Sequence, residues 1–227
     1  MTDRLGRTQR FYTRWARLYD LLAVHTPGIG SLRAAAIDRL AIQAGDTVVE
    51  MGCGTGANLP LLCQQVGPDG QVIGIDVSMG VLSVASDRVA RNGWANVHVV
   101  RGDATEPPVE KGSADAVFAS LVAGMVDDPA GMVDEWADLV GPGGRLGLLD
   151  LARSSDRRAR PLNGLFRRFV TTANPRSVRE STAPLATLDR RVAAAHRQLG
   201  ERCSDADSTT RALGFARLSA GTVDYFL

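Results

Sequence analysis

A glycine-rich segment at residues 50–56 constrains the fold more than any other part of the sequence. It follows an apolar run at residues 47–51, which predicts a strand, and it precedes residues 57–66, which predict a helix. Glycines let the backbone turn sharply there and leave room for a ligand, and the helix N-terminus offers unpaired N–H groups. The segment therefore predicts a site for a nucleotide-like ligand, although glycines that serve only a tight turn would give the same pattern.

The glycine pattern alone does not identify the ligand. Gly52, Gly54 and Ala57 also satisfy the G-x-G-x-x-A form of a dinucleotide-binding fingerprint. An NAD-dependent oxidoreductase would, however, have this loop close to the N-terminus and a proton donor such as a Tyr-x-x-x-Lys pair. Lys111 is the only lysine in the chain, which disfavours that alternative. A nucleotide-binding protein without catalysis stays open.

Short apolar runs alternate with helix-like segments through the middle of the chain. This alternation is typical of an α/β protein whose parallel sheet is covered on both faces. Ser78 is expected to be the N-cap of the helix after the second strand. Residues 215–227 have β-type residues around Gly221 and predict a hairpin that returns to the sheet. The five earlier strands are expected at residues 47–51, 71–76, 96–100, 114–121 and 145–151.

Two acidic residues close predicted strands and point to the same ligand. Asp76 follows the glycines by about twenty residues, where a carboxylate can accept hydrogen bonds from both ribose hydroxyls. Asp103 closes the third strand, where a carboxylate could accept from an adenine amino group. Ligands of open α/β sheets lie beyond the carboxyl ends of the strands, so the glycines and both carboxylates should share one crevice. Either aspartate could instead only cap the helix that follows it.

Four stretches together resemble class I S-adenosylmethionine-dependent methyltransferases. They are Val-Val-Glu-Met-Gly-Cys-Gly-Thr-Gly at residues 48–56, the acid at Asp76, the tripeptide Gly102-Asp103-Ala104, and Leu-Val-Gly-Pro-Gly-Gly at residues 139–144. The resemblance covers residues 45–152, and residues 11–20 look like the first helix of the ubiquinone/menaquinone C-methyltransferase and phospholipid N-methyltransferase branch. It implies an α/β, Rossmann-like, doubly wound sheet of seven strands with helices on both faces and a reversed last hairpin. It also implies S-adenosylmethionine as the cofactor.

We therefore expect four segments along the chain. Residues 1–44 would form an N-terminal helical cap, and residues 45–152 the Rossmann-like core that binds S-adenosylmethionine. Residues 153–205 would form an arginine-rich helical lid, inserted after strand 5, over the substrate. Residues 206–227 would return to the sheet.

The resemblance also implies which residues touch the cofactor. In the family the glycine loop faces the methionine and ribose, the acid that matches Asp76 holds the ribose, and the positions of Asp103 and Ala104 border the adenine. Ser120 and Leu121, after the fourth strand, would lie near the sulfonium. The expected cofactor-binding residues are Tyr19, Glu50, Gly52, Cys53, Gly54, Gly56, Asn58, Asp76, Val77, Met79, Asp103, Ala104, Ser120 and Leu121.

Methyl transfer from a sulfonium makes few chemical demands on side chains. It is an in-line displacement, so the enzyme mainly aligns the acceptor with the methyl group and excludes water. A base is required only if the acceptor arrives protonated. His25 in the cap and His196 in the last helix of the lid are the candidates for a base or a positioning residue. Each could equally be a surface or packing histidine.

The net charge of +1 hides a strong asymmetry. Residues 151–202 contain twelve arginines and only four acidic residues, so the rest of the chain is acidic. These arginines could attract an anionic acceptor or bring the lid to an acidic membrane surface, or they could form a solvated helical face. Apolar residues recur at helical spacing beside them and could cover the site, contact lipid or make a homodimer. They are Leu162, Leu165, Phe166, Phe169 and Val170.

These observations favour methyl transfer to a small molecule. An aromatic, quinone-like or other lipid-soluble ring is the favoured acceptor, and a phospholipid or an amine is the alternative. A nucleic-acid substrate is not expected, because the total charge is balanced and no Asn-Pro-Pro-Tyr-like loop for a flipped base follows the fourth strand. The cysteines, Cys53, Cys63 and Cys203, are unclustered, which disfavours a metal site and favours a reducing, cytoplasmic setting. No apolar run reaches the roughly 20 residues that a membrane span needs.

Overall fold

The computed structural model of the protein describes residues 28–173 and 184–224. The sequence predictions at Tyr19 and His25 lie outside the described residues. The helices are α1 (Ile29–Asp38), α2 (Leu59–Val66), α3 (Met79–Asn92), α4 (Pro129–Val140), α5 (Arg160–Ala173) and α6 (Pro184–Arg202). The strands are β1 (Thr47–Met51), β2 (Gln71–Asp76), β3 (Val97–Arg101), β4 (Ala116–Ser120), β5 (Arg145–Leu151), β6 (Asp207–Arg211) and β7 (Ala216–Thr222). A short 3-10 turn at Ala123–Met125 follows β4, and another at Arg157–Ala159 precedes α5.

The strands of the described residues form one seven-stranded sheet in the order β3-β2-β1-β4-β5-β7-β6. Neighbouring strands pair in parallel except β7, which runs antiparallel to both β5 and β6. The order of the strands along the chain reverses between β1 and β4. Ligands of such sheets bind in the crevice beyond the carboxyl ends of the strands at this switch point. The structure confirms the predicted α/β, doubly wound sheet.

Helices cover both faces of this sheet. On one face, Trp136 of α4 and Leu199 of α6 share a buried cluster with Leu148 of β5. On the other face, Leu62 of α2 shares a cluster with Phe118 of β4. The first four residues of β4 are all buried, as expected for a central strand with helices on both sides. The two clusters hold the strand ends of the crevice on a rigid support.

The C-terminal hairpin begins earlier than the sequence predicted. Its first strand is β6, and β7 ends at Thr222, so the expected location at residues 215–227 was wrong for the first strand. The strand β6 is polar and mostly exposed, since it forms the edge of the sheet, and it therefore lacks an alternating apolar pattern. Ala212, Leu213 and Gly214 turn the chain between β6 and β7, all with positive φ.

The second helix of the arginine-rich segment belongs to the core. Val192, Ala195 and Leu199 of α6 are fully buried, and the helix packs against α4, β5 and β7. The part of residues 153–205 that forms α6 is therefore packed on the sheet, and a lid formed by the rest of this segment stays a prediction. Among the helices that the structure describes, none is both long and apolar enough to cross a membrane.

Candidate cofactor site

The glycine-rich loop after β1 has the backbone that only glycine adopts readily. Gly52, Gly54 and Gly56 have φ of 64°, 56° and 76°, in the left-handed region. A Cβ on Gly52 would lie 2.5 Å from Cγ2 of Val122, so this glycine also lets the loop pack against the segment after β4. A Cβ on Gly54 would meet no atom within 4 Å, so the backbone there borders open space. The loop thus forms a cradle that leaves room for a ligand.

Asp76, at the end of β2, ties this loop to the start of α3. Its Oδ2 accepts a hydrogen bond from the Gly54 N–H at 3.0 Å, and its Oδ1 accepts one from the Ser78 N–H at 2.9 Å. Burial raises the pKa of the Asp76 carboxyl, although these N–H groups lower it in part. Each oxygen keeps a second lone pair, so the carboxylate can still accept from a diol. Its geometry fits a ribose.

Ser78 is the N-cap residue of α3, as predicted, but its side chain does not cap the helix. Its Oγ is buried and has no hydrogen-bond partner among the described residues. The backbone N–H of Ser78 is held by Asp76 instead. The cap position was therefore predicted correctly from the sequence, whereas the capping bond was not.

A buried polar network joins β1, β4 and the residue before α2. The Asn58 Nδ2 donates to Glu50 Oε1 at 2.6 Å and to Ser120 Oγ at 2.9 Å. Glu50 is fully buried, and this burial raises the pKa of its carboxyl to about 8. Glu50 is therefore mostly protonated at neutral pH.

Two oxygens of this network have no hydrogen-bond partner in the part of the chain that the structure describes. Glu50 Oε2 and Asn58 Oδ1 are buried, and neither has a hydrogen-bond partner among the described residues. The Asn58 oxygen is a buried acceptor without a described donor, which costs about 1–3 kcal/mol, and the Glu50 oxygen becomes one when its carboxyl loses its proton, so a ligand that brings donors and positive charge would be favoured there. An ammonium group supplies three donors and a positive charge, which fits a site next to a carboxyl group.

The end of β4 is strained where it enters the crevice. Leu121 has a φ of 63°, and its N–H donates to the Leu149 O at 2.7 Å. A non-glycine residue in this conformation costs about 1–2 kcal/mol, and such strain concentrates at functional sites. The next residue, Val122, is the one that fills the space beside Gly52. Sequence reasoning missed Val122, because an apolar residue after a strand carries no signal of its partner.

The end of β3 closes the crevice on the side opposite β4. The Gly102 N–H donates to the Asp76 O at 3.1 Å, which links β3 to β2 just beyond their paired residues. Asp103 Oδ1 accepts from the backbone N–H and the hydroxyl of Thr105, so this carboxylate stabilises its own turn. Trp136 Nε1 donates to the Ala104 O at 2.7 Å. Residues 103–105 are therefore fixed by bonds to the protein, and a contact between Asp103 and adenine stays a prediction.

Three further residues of the predicted set, in the glycine loop and around the start of α3, differ in how far they are exposed to solvent. The Cys53 thiol is buried, and burial raises its pKa well above the usual range, so it is not a nucleophile at neutral pH. Met79, at the start of α3, is 58% exposed and leaves an apolar surface at the crevice. Val77, which precedes it, is half-buried.

His196 lies on the face of the sheet that α6 covers, and its ring faces protein groups on both sides. Its Nδ1 is 2.7 Å from Ser219 Oγ, and its Nε2 is 3.3 Å from Asp150 Oδ2. The side chain is only 10% exposed. The Nε2 atom is close to Asp150 but makes no hydrogen bond with a described residue. Sequence reasoning missed Asp150 and Ser219, since residues far apart along the chain come together only through the pairing of β5 with β7.

The described part of the predicted set thus falls into three groups around one crevice. Gly54 and Asp76 are joined by a hydrogen bond, and Glu50, Asn58 and Ser120 by a second network. Asp103 is held by a bond within its own turn, and Ala104 by a bond from Trp136 of α4. A glycine-rich turn after β1 and a carboxylate at the end of β2 define an α/β protein that binds a nucleotide-like ligand at the switch point.

Comparisons with known proteins define the class more narrowly. Residues 48–144 match the family model described as a methyltransferase domain. The chain is 32% identical to the arsenite methyltransferase of Halobacterium salinarum over 128 residues, which are 56% of this chain and 32% of that protein. It is 34% identical to the demethylmenaquinone methyltransferase of Oceanobacillus iheyensis over 116 residues, 51% of this chain and 49% of that protein. The chain therefore spans a third to a half of the length of these curated relatives.

A solved structure shows the same fold. The phosphoethanolamine N-methyltransferase 2 of Haemonchus contortus, in complex with phosphomonomethylethanolamine and S-adenosylhomocysteine, superposes with a TM-score of 0.72. The sequence identity is 17%, and the superposition covers 97% of this chain and 59% of that one. The predicted resemblance to class I S-adenosylmethionine-dependent methyltransferases and the predicted fold class are thereby confirmed, with the family match confined to residues 48–144. The dinucleotide alternative left open by the glycine pattern is set aside.

Proposed function

We propose that the protein transfers the methyl group of S-adenosylmethionine to a small acceptor, and that this acceptor is a lipid-soluble, aromatic or quinone-like ring. One observation carries the proposal: the glycine cradle, Asp76 and the buried network of Glu50 and Asn58, with its two oxygens that no described residue bonds, meet at the switch point of the sheet. These are the features that a ribose and an amino-acid ammonium on one ligand require.

Different residues around the crevice contact different parts of the cofactor. Asp76 accepts from the ribose hydroxyls while the Gly54 and Ser78 N–H groups hold it in place. Glu50 and Asn58 accept from the ammonium, and Met79 packs on the adenine together with Val77. When it is bound, the cofactor supplies an electrophilic methyl group on a positively charged sulfur. The chain's own residues therefore bind the cofactor, orient it toward the acceptor and exclude water.

The acceptor enters beside the end of β4. Met125, in the turn after β4, is 49% exposed, and it offers an apolar contact near Leu121. The name of the Oceanobacillus iheyensis relative supports a quinone-like ring. An amine or phospholipid headgroup is the second candidate, favoured by the phosphomonomethylethanolamine bound to the structural neighbour.

His196 acts as a positioning residue rather than as a base. Its Nδ1 is bonded to Ser219 Oγ, and its Nε2 lies 3.3 Å from Asp150, next to the last residue of β5, without a hydrogen bond to it. The imidazole is therefore held through Ser219 beside the end of β5, and we assign it no proton transfer from the acceptor. A base is unnecessary when the acceptor arrives as an anion or a neutral amine. A role of His25 as a base for a protonated acceptor remains a prediction.

Cofactor binding tests the first half of the proposal. Asp76→Ala should weaken binding of S-adenosylmethionine in calorimetry by at least about tenfold, because two hydrogen bonds to a carboxylate are lost. Asp87→Ala, an exposed aspartate of α3, is the matched control and should bind normally. Equal affinities of the wild type and Asp76→Ala would remove Asp76 from the site, and binding of NAD but not S-adenosylmethionine would end the proposal.

The acceptor is tested with labelled S-adenosylmethionine and a panel of candidates. The panel contains a reduced quinone-like phenol, arsenite, phosphoethanolamine and a simple primary amine, and mass spectrometry identifies the product. Label transfer to the phenol supports the proposed ring acceptor. Transfer only to phosphoethanolamine or to the amine supports the second candidate, and transfer only to arsenite would refute both.

A further inference from the structure

Three exposed leucines lie close together in the fold, away from the proposed cofactor contacts. Leu162 and Leu165 of α5 are 42% and 67% exposed, and Leu213, in the turn between β6 and β7, is 54% exposed. They are half of the six large apolar side chains that are exposed in the described residues. Because these leucines are exposed, packing in the core is not the reason for apolar residues at these positions. We call α5 and the turn at residues 212–215 the α5–hairpin surface.

Specific contacts make this surface one rigid unit. Asn163 of α5 donates to the Ser154 O at 3.0 Å and accepts from the Ser154 N–H at 3.2 Å. The Ser154 hydroxyl donates in turn to the Leu213 O. The rings of Phe166 and Phe215 pack with their centroids 5.3 Å apart. The leucines of the helix and of the turn are therefore held in a fixed arrangement.

Basic side chains surround the leucines. Arg157 and Arg158 lie in the 3-10 turn before α5, Arg160 is the first residue of α5, and Arg211 and Arg217 lie on the two strands of the hairpin. None of these five forms an ion pair with a described residue.

Other arginines of the same segment have acidic partners on the body of the protein. Arg153 pairs with Asp189 at 2.5 Å, and Arg202 pairs with both Asp134 and Asp138 at 3.1 Å. The segments that carry the exposed leucines thus hold five arginines without an ion pair to a described residue and one nearby acid, Asp156, which leaves them a net positive charge.

The surface lies at the same edge of the sheet as the cofactor crevice. The first residue of β7, Ala216, pairs with the last residue of β5, Leu151, and the Ala152 N–H donates to the Phe215 O at 2.9 Å. The turn is therefore at the carboxyl end of β5, and the crevice is at the carboxyl ends of the neighbouring parallel strands. Whatever binds the α5–hairpin surface is brought to the side of the protein on which the crevice opens.

We infer that the α5–hairpin surface docks on an anionic lipid bilayer, with its leucines in the headgroup region and its arginines on the lipid phosphates. Arginines that flank exposed apolar side chains on an amphipathic helix are complementary to such a surface, since guanidinium groups bind phosphate while apolar groups leave water. This inference goes beyond the proposed function. It explains how a lipid-soluble acceptor would reach the crevice, but it holds for any acceptor.

Vesicle binding of the full chain tests the inference without cofactor or acceptor. Flotation compares vesicles of phosphatidylcholine with vesicles that also contain phosphatidylglycerol. We expect binding to the anionic vesicles only, and weaker binding as the salt concentration rises, because salt screens exposed charges. Arg157→Gln combined with Arg160→Gln should lower the partition coefficient about 25-fold, because each basic residue near such a surface contributes about 1 kcal/mol. Arg91→Gln, an exposed arginine of α3, is the matched control and should change nothing.

The leucines provide an independent measurement. Leu165→Ser combined with Leu213→Ser should lower the partition coefficient at least about tenfold, since two apolar side chains no longer leave water. Both side chains are exposed, so the thermal midpoint should stay near the wild-type value. Binding to neither vesicle type, equal binding to both, or unchanged binding of the leucine variant would each overturn the inference. A dimer in light scattering that the leucine variant turns into a monomer, without vesicle binding, would assign the surface to a second copy instead.

Each of the two proposals can be refuted without refuting the other. Methyl transfer to a water-soluble acceptor should be normal in the leucine variant, because these leucines are outside the cofactor contacts. Loss of vesicle binding with intact activity would support docking, whereas an inactive wild type that still binds anionic vesicles would refute only the proposed function.

Discussion

The buried carboxyl of Glu50 should make the stability of this protein fall as pH rises. Its pKa is about 8 in the folded protein against an ordinary value of 4.5, so the folded state binds a proton that the unfolded chain has released. The contribution is fully present below pH 4.5 and is lost as the pH rises toward 8. Integrating the linkage relation between pH 5 and pH 8 gives a loss of about 3 kcal/mol.

The variant Glu50→Gln isolates this effect. Its side-chain oxygen can still accept from Asn58, but the group no longer titrates, so the loss of stability with pH should be absent. The difference in the free energy of unfolding between the variant and the wild type should therefore grow by about 3 kcal/mol in favour of the variant from pH 5 to pH 8. Urea unfolding at several pH values measures it.

Two observations decide whether this reasoning holds. Glu110→Gln, at an exposed glutamate, should show a difference from the wild type that does not change with pH. A difference between Glu50→Gln and the wild type that is equally constant would mean that Glu50 ionises like a surface acid, and the argument from burial would be refuted. Addition of S-adenosylmethionine at pH 7 should release a proton, because an ammonium beside Glu50 favours its charged form. Calorimetry in buffers of different ionisation enthalpy detects that proton.

Two further predictions concern the glycine loop and the cysteines. Gly52→Ala should lower the free energy of unfolding by more than about 2 kcal/mol in chemical denaturation, because its Cβ would meet Val122 and its φ is positive. The double variant with Val122→Ala should recover the part of this stability that the contact with Val122 costs. An unchanged stability of the single variant would contradict the packing described. Cys63 should react first with a thiol reagent at pH 8, since the Cys53 and Cys203 thiols are buried, and burial raises the pKa of Cys203 to about 11; mass spectrometry that found Cys53 modified first would contradict that order.

Much of the site could be predicted because its signals are local. The strands β1, β2 and β5 have the predicted bounds, since each is a short run rich in apolar residues that begins after a turn-forming segment. The glycine loop and Asp76 follow from backbone geometry at the end of a strand, which the residue types themselves specify. The same local logic marked Ser78 as a helix start, although it could not show that Asp76 occupies its backbone N–H.

The remaining features depend on residues that are distant along the chain. The sequence by itself determined an α/β methyltransferase domain with a glycine loop at one strand end and a carboxylate at the next, because each of those elements is specified by a short run of residues. Only the tertiary structure decided that α6 is part of the core, that His196 is enclosed by Asp150 and Ser219, and that Leu213 stands beside α5. The physical reason is that burial and hydrogen bonding between distant segments set these environments, and neither composition nor spacing encodes which segments will meet.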